Sequence, residues 1–178
     1  MGEVKVVDKN GGARREERGA TLVEFALVAP VFLMMFFGLF EFSRYVATDV
    51  SVSTAAREGA RFGSAIGDNP TSSIPRYVDC DGIIQAAVDN APFAGVTAAD
   101  ISVTWDHGPG TEVFADCSIQ SPDSPPLPTV STVSAGDRIT VTVIKDYQAV
   151  AIPFFSRAGT VQTIAVETRS IFKGEVGG

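Results

Sequence analysis

The sequence predicts an α+β chain in which one long N-terminal helix leads into a small C-terminal domain of three to four antiparallel strands. Three observations carry this. Sixteen residues, Phe25–Phe40, contain no charge and only one proline. The stretch 41–67 that follows is proline-free and places small residues at every fourth position. After about residue 100, short segments alternate β-branched and polar residues between Gly- and Pro-containing turns, the signature of half-buried strands. Helix first and strands afterwards, without βαβ alternation, is the α+β pattern.

Length and charge bound the problem. A chain of 178 residues suffices for one domain, or for a long helix with a small domain attached. A formal net charge of -7 argues against direct nucleic-acid binding, which normally shows a basic face.

The elements follow in order. Residues 1–18, MGEVKVVDKNGGARREER, are polar, carry a Gly-Gly pair and show no apolar period, which reads as a short disordered leader. A myristoylation signal is excluded because Val6 stands where Ser or Thr is needed. Ala20–Phe40, 21 residues, spans about 30 Å as a helix, one hydrocarbon core. Lys5, Lys9, Arg14, Arg15 and Arg18 precede this segment, whereas Arg44 and Arg57 are the basic residues in the twenty after it. That asymmetry predicts a cytoplasmic N-terminus and an exported C-terminal region, in a single pass. Pro30 removes one amide inside the span and crowds the carbonyl of Ala26, so a kink is expected there.

The helix is expected to continue outside the membrane over 41–67. Ala55, Gly59 and Gly63 stack on one face, with Ala56, Ala60 and Ser64 beside them. Small side chains let another backbone approach closely, so the face is either a seam for a neighbouring subunit's helix or the contact with this chain's own sheet. Gly67-Asp68-Asn69-Pro70 stops the helix. The remaining residues, 68–178, form the exported α+β domain. A short helix is predicted over Gly82–Ala91. ISVTWD (101–106) and TEVFADCSIQ (111–120), joined by HGPG, predict a hairpin, and RITVTVIKDYQ (138–148) and VQTIAVETRSIF (161–172) supply two further strands. SPDSPPLP (121–128) is a Pro-rich surface connection. Between the last two strands, AVAIPFFSRAG carries Ile152, Phe154 and Phe155, a large apolar surface for a connection. It either caps the core or contacts a partner or the outer leaflet.

Chemistry-bearing residues are sparse. Cys80 and Cys117 both follow the membrane segment, and an even count in an exported region predicts a disulfide, with two free buried thiols as the alternative. With a single histidine, His107, they lack the paired ligand spacing of a zinc site, and no metal or other cofactor is predicted. No HExxH, GxSxG or Gly-rich phosphate loop occurs, so an enzyme is the poorest fit. His107 reads as a solvated turn residue rather than a base.

Glu24 needs a reason, because a carboxylate in a membrane segment is costly. Cutting the chain after Gly19 would give Ala20 a free amine, cationic at neutral pH and about 6 Å along the helix from Glu24. In a helical array, the amine of an incoming subunit would meet Glu24 of one already docked. The uncut alternative is an acid in the first turn of a membrane helix, favourable to the helix dipole.

Arg18-Gly19, then Ala-Thr-Leu-Val, then Glu24-Phe25 and a long apolar run resembles the cleavage region of type IV-like prepilins. More closely, RGATLVEFALVAPVFLMMFFGLFEFSR looks like the TadE-like family of pseudopilins, minor pilin-like components of the Flp/Tad pilus machinery. Glu41-Phe42 and the pattern ITVTV…PFF…VETR fit the same family. The resemblance covers 18–44 and, more loosely, 138–172; residues 68–137 lie outside it. It implies a pilin-like fold and cutting after Gly19 by a prepilin peptidase, with Gly19, Ala20, Glu24 and Phe25 as the processing residues. Together with the small-residue face, the expected residues of helix packing in an assembly are Glu24, Pro30, Ala55, Gly59 and Gly63. The implied location is the bacterial inner membrane, with the pilus platform, other pilins and pseudopilins and the lipid bilayer as partners. Phe25 departs from the tyrosine of the major pilins of this system, which also lack such an exported domain. Both differences favour an accessory subunit. The competing reading is an uncut single-pass protein whose exported domain binds an envelope polymer or protein. Adhesion, DNA uptake and secretion all stay open as roles of the appendage.

Overall fold

The computed structural model describes residues 10–117, 125–149 and 160–173. The chain divides into two compact units, Met1–Ser43 and Arg44–Gly178. Helix α1 runs over Asn10–Ser64 with Pro30 inside it, so its first part belongs to the first unit and its second part to the second. Helix α2 follows at Cys80–Asp89, and four strands complete the chain: β1 Ile101–Asp106, β2 Val113–Asp116, β3 Arg138–Tyr147 and β4 Val161–Ser170. The α+β architecture is the one the sequence predicts.

The start of α1 corrects one expectation: residues 10–18 are helical rather than a disordered leader. Ala, Arg and Glu are strong helix formers. The apolar segment downstream supplies the nucleus, and adding residues to an existing helix carries no nucleation penalty.

In the first unit, the residues from Leu22 to Phe40, all but the half-buried Ala29, stand exposed around the helix. In the second unit the same helix is one-sided: Val52, Ala55, Ala56, Gly59, Ala60 and Gly63 are buried, whereas Arg57 and Arg61 face out. The helix ends at Ser64, and three residues on Gly67 turns the chain away at φ +100°, a conformation open to glycine that other residues resist.

The four strands form one antiparallel sheet in the order β2-β1-β3-β4. One face of the sheet is the core. Ile101, Val103 and Trp105 of β1 and Ile139, Val141 and Val143 of β3 are buried with the small face of α1 and with Ile83 and Ala87 of α2. Trp105 is fully buried, and its indole N–H donates to the Tyr77 carbonyl at 3.1 Å, so its polar atom is satisfied inside the core.

Helix α2 begins at Cys80, two residues before the predicted start, because Asp79 caps it. The Asp79 carboxylate is buried and accepts from the Gly82 amide at 3.0 Å, from the Ser72 hydroxyl at 3.2 Å and from the Asn69 side-chain amide. A side chain at Gly82 would collide with Asp79 and with the ring of Phe62, 2.8 Å away, so glycine lets the cap close.

Strand β4 turns mostly small, polar and charged residues toward the helices. Its register with β3 pairs Val143 with Ala165, Val141 with Glu167 and Ile139 with Arg169, putting Thr163, Ala165, Glu167 and Arg169 on the helix side. Ile164 and Val166 therefore point to the opposite face, exposed beside Ile144. The helix layer centres on β3, where Gly59 meets Val141 and Gly63 meets Ile139, leaving most of β4 beyond its cover.

Candidate assembly site

The first unit offers one chemical feature, an acid on an apolar helix. Glu24 and Phe25 are both exposed, and among the described residues α1 is the helix long and apolar enough to cross a membrane. A helix apolar all round has no water-facing side and requires lipid or other helices about it. Gly19 and Ala20 lie within α1, one helical turn from Glu24. Pro30 is exposed and the helix continues through it.

Ala55, Gly59 and Gly63 are brought together with α2 and β3 of the same unit. A Cβ built on Gly59 meets the Ala87 Cβ at 3.1 Å, a Val141 methyl at 3.3 Å and the Ile83 carbonyl at 3.4 Å. At Gly63 it meets Ile83 carbons at 3.0 and 3.1 Å and runs into Ile139. Of the two readings of this face, contact with the chain's own sheet is the one the structure contains. Close approach of α1 to α2 and β3 uses up the face that a neighbouring subunit's helix would need. The four-residue spacing revealed the face and could not reveal what covers it.

Cys80 and Cys117 are bonded, with Cα atoms 5.7 Å apart, and the bridge ties the first residue of α2 to the residue just after β2. Closing a loop of this length contributes about 3–4 kcal/mol. Ile152, Phe154 and Phe155 lie outside the described residues.

His107 is more engaged than a solvated turn residue. Its Nδ1 lies 2.9 Å from Asp137 Oδ1, and its ring stacks on Phe114 with centroids 4.2 Å apart and planes 11° apart. Asp137 also accepts from the Ser134 amide at 2.7 Å, and the neighbouring Asp106 holds Arg138 at 2.7 Å. These contacts fasten the β1–β2 turn to the start of β3. Neither the turn sequence nor the composition reveals the pair, whose members are thirty positions apart.

At the other end of the sheet, a half-open depression of about 500 Å³ is lined by Asp100, Ser102, Thr142, Lys145, Asp146 and Gln162, among others. Its cation is occupied: Lys145 Nζ lies 2.9 Å from Asp100. Burial acts to raise the Asp100 pKa, but hydrogen bonds from Lys145 and from the Thr97 amide and hydroxyl, with the lysine charge, hold the carboxyl below its usual value. Among the described residues no group of three or more His, Cys, Asp or Glu is placed to hold a metal ion.

A second cluster sits where the second unit begins. Tyr45 packs edge-on against Tyr147, with centroids 5.6 Å apart and planes at 81°, and the Arg44 guanidinium lies 5.7 Å from the Tyr147 ring centre. Sequence reasoning missed this cluster, since Tyr147 is a hundred residues from its partners. The available signal was an Arg-Tyr pair placed just beyond the apolar run.

Residues 19–61 match the family model described as TadE-like protein. The match begins at Gly19, takes in Glu24, Pro30, Ala55 and Gly59, and ends within the one-sided part of α1. No curated protein and no solved structure shows significant similarity to the chain. The likeness is confined to this stretch, 43 of the 178 residues, over which the chain is similar to a TadE-like protein.

Proposed function

We propose that the chain is a minor pilin-like subunit of a Tad-type pilus, cut after Gly19 by a prepilin peptidase and held in the inner membrane by the apolar part of α1. In this reading the N-terminus is cytoplasmic and the sheet domain exported, and other pilins, pseudopilins and the membrane platform are its partners. The observation that carries it is the spacing of Gly19 and Glu24 at the head of a helix whose apolar residues are exposed all round.

The chemistry is charge pairing in lipid. Cutting places an ammonium at Ala20, where a helix N-terminus already disfavours positive charge and the bilayer disfavours any charge. Glu24 of a docked subunit offers the compensating carboxylate, so entry of each helix beside the last removes two unpaired charges from an apolar medium. Phe25, next to it, keeps the surroundings of the pair dry.

N-terminal sequencing of protein taken from membranes and from sheared surface filaments tests the reading. Ala20 as the first residue is expected; an intact leader in the functioning protein would leave a tethered exported module. Gly19→Arg blocks cutting and leaves a product of unprocessed mobility. Glu24→Gln keeps the shape and permits cutting but weakens assembly, so filaments formed at the normal level by this variant would remove the pairing role.

A further inference from the structure

We propose that the hollow between α1 and α2 at Arg76 binds a single carboxylate, carried on an acidic side chain of a partner polypeptide. The site lies wholly in the second unit and does not depend on cutting after Gly19.

Arg76 carries a charge that nothing among the described residues answers. It opens a short 3-10 turn, Arg76–Val78, and its backbone amide donates to the Gly67 carbonyl at 3.2 Å. Its guanidinium lies over the Phe62 ring, 5.2 Å from the centre. Stacking holds the group in place but gives its N–H donors no acceptor. Among the described residues, no hydrogen bond or ion pair reaches this side chain, and its Nε is buried and unsatisfied. A buried donor of this kind is costly, and a positive charge partly withdrawn from water without a counter-charge adds to the cost.

The walls fit one kind of ligand. Arg76 borders a half-open hollow of about 290 Å³, at the lower limit of small-molecule sites, which run from about 300 to 1,000 Å³. Helix α1 contributes Glu58, Arg61, Phe62 and Ala65, and the end of α2 contributes Ala86 and Asn90. Glu58 and Arg61 pair at 3.2 Å, so the charge left over in the hollow is the single positive one of Arg76. One monoanion balances it, and Glu58 in the wall disfavours a dianion such as phosphate. The N–H fork of a guanidinium matches the two oxygens of a carboxylate. Phe62, Ala65 and Ala86 line the hollow with apolar surface for the aliphatic stem behind that carboxylate. The Asn90 side-chain nitrogen donates to the Ala86 carbonyl at 2.8 Å, which leaves its oxygen to accept an N–H from a visiting backbone. A lone ion pair open to water holds a free acid weakly. The same carboxylate on a docked polypeptide is held at high effective concentration, which favours a side chain over a free metabolite as the ligand.

The test follows the Arg76 Nε–H, Ala65 amide and Asn90 side-chain amide signals by NMR, in the full chain in detergent. The probes are sodium propionate, glutamate blocked at both backbone ends, its glutamine counterpart, inorganic phosphate and sodium chloride. Propionate and blocked glutamate are expected to shift all three signals to saturation, blocked glutamate at the lower concentration, while chloride and blocked glutamine leave them in place. Arg76→Gln abolishes the saturating shift at Ala65 and Asn90, and Arg76→Lys, which keeps the charge without the fork, weakens binding about tenfold. Emission of the buried Trp105 checks that both variants fold; should Arg76→Gln not fold, Arg76→Lys carries the comparison. An unsaturable response, the same for chloride and the carboxylates, overturns the site. Phosphate binding more tightly than either carboxylate overturns the ligand class, and propionate binding as tightly as blocked glutamate overturns the side-chain source.

Discussion

Gly63→Val is the sharpest probe of how the sheet domain is built. The structure seats Gly63 against Ile83 and Ile139, with Ile83 carbons at 3.0 and 3.1 Å from the site of an added Cβ. A single methyl already demands movement of both isoleucines, and valine adds two more carbons to a core without space for them. Overpacking of this kind costs about 1–3 kcal/mol, and the intrinsic helix preference for alanine over glycine returns up to about 1. Gly63→Ala is therefore expected to destabilise by about 1 kcal/mol and Gly63→Val by about 3. Gly38→Ala is the control, because nothing lies within 4 Å of an added Cβ there. The assay is urea unfolding of the full chain in detergent, read by the emission of Trp105, which reports on the core that Gly63 abuts. An unchanged midpoint for Gly63→Val would refute the closed packing and return the small face to the role of a seam between subunits.

Asp100 gives a pH dependence. Its folded pKa lies below the ordinary value of 3.8, so its contribution to stability is present above that value and is lost as pH falls through the folded pKa. The unfolding midpoint should drop below about pH 4, and Asp100→Asn should flatten that drop; an equal slope in both proteins would contradict the role of the Lys145 pair. Replacing Cys80 and Cys117 together by Ala should lower stability by about 3–4 kcal/mol, and a reducing agent should reproduce the loss in the parent chain but add nothing to the variant. Asp79→Ala removes the α2 cap and strands the amide of Gly82 and the Ser72 and Asn69 donors, at a cost of about 2–3 kcal/mol. Asp79→Asn is expected to recover only part of that, because its single amide oxygen can replace one of the two accepting carboxylate oxygens; full recovery would contradict the need for both.

The long helix was legible because an all-round apolar helix needs no tertiary partner to declare itself: FALVAPVFLMMFFGLF is apolar whichever way it turns. The β1–β2 hairpin was legible for a similar reason, since Ile101, Val103 and Trp105 alternate with polar residues and the turn is local. Contacts distant in sequence were not. Tyr45 meets Tyr147, and His107 meets Asp137, through topology alone. The facing of β4 was not legible either: pairing with β3 turns Ile164 and Val166 outward, because register is set with the partner strand. The start of α2 moved because a cap is a three-dimensional closure: Asp79 works only where Asn69 and Ser72 reach it. Residues 10–18 were misread by treating a polar stretch in isolation from the helix that extends into it.

The close seating of Gly59 and Gly63 also bears on mechanics. Tension along this part of the helix reaches the sheet through this contact, where the side chains of Ile83, Val141 and Ile139 press directly on the α1 backbone. Such a joint resists sliding, because any side chain brought to the place of Gly63 meets Ile83 and Ile139. Force on the buried part of α1 would load α2 and β3 together, with the crosslink at the foot of α2 limiting how far the sheet domain could unravel.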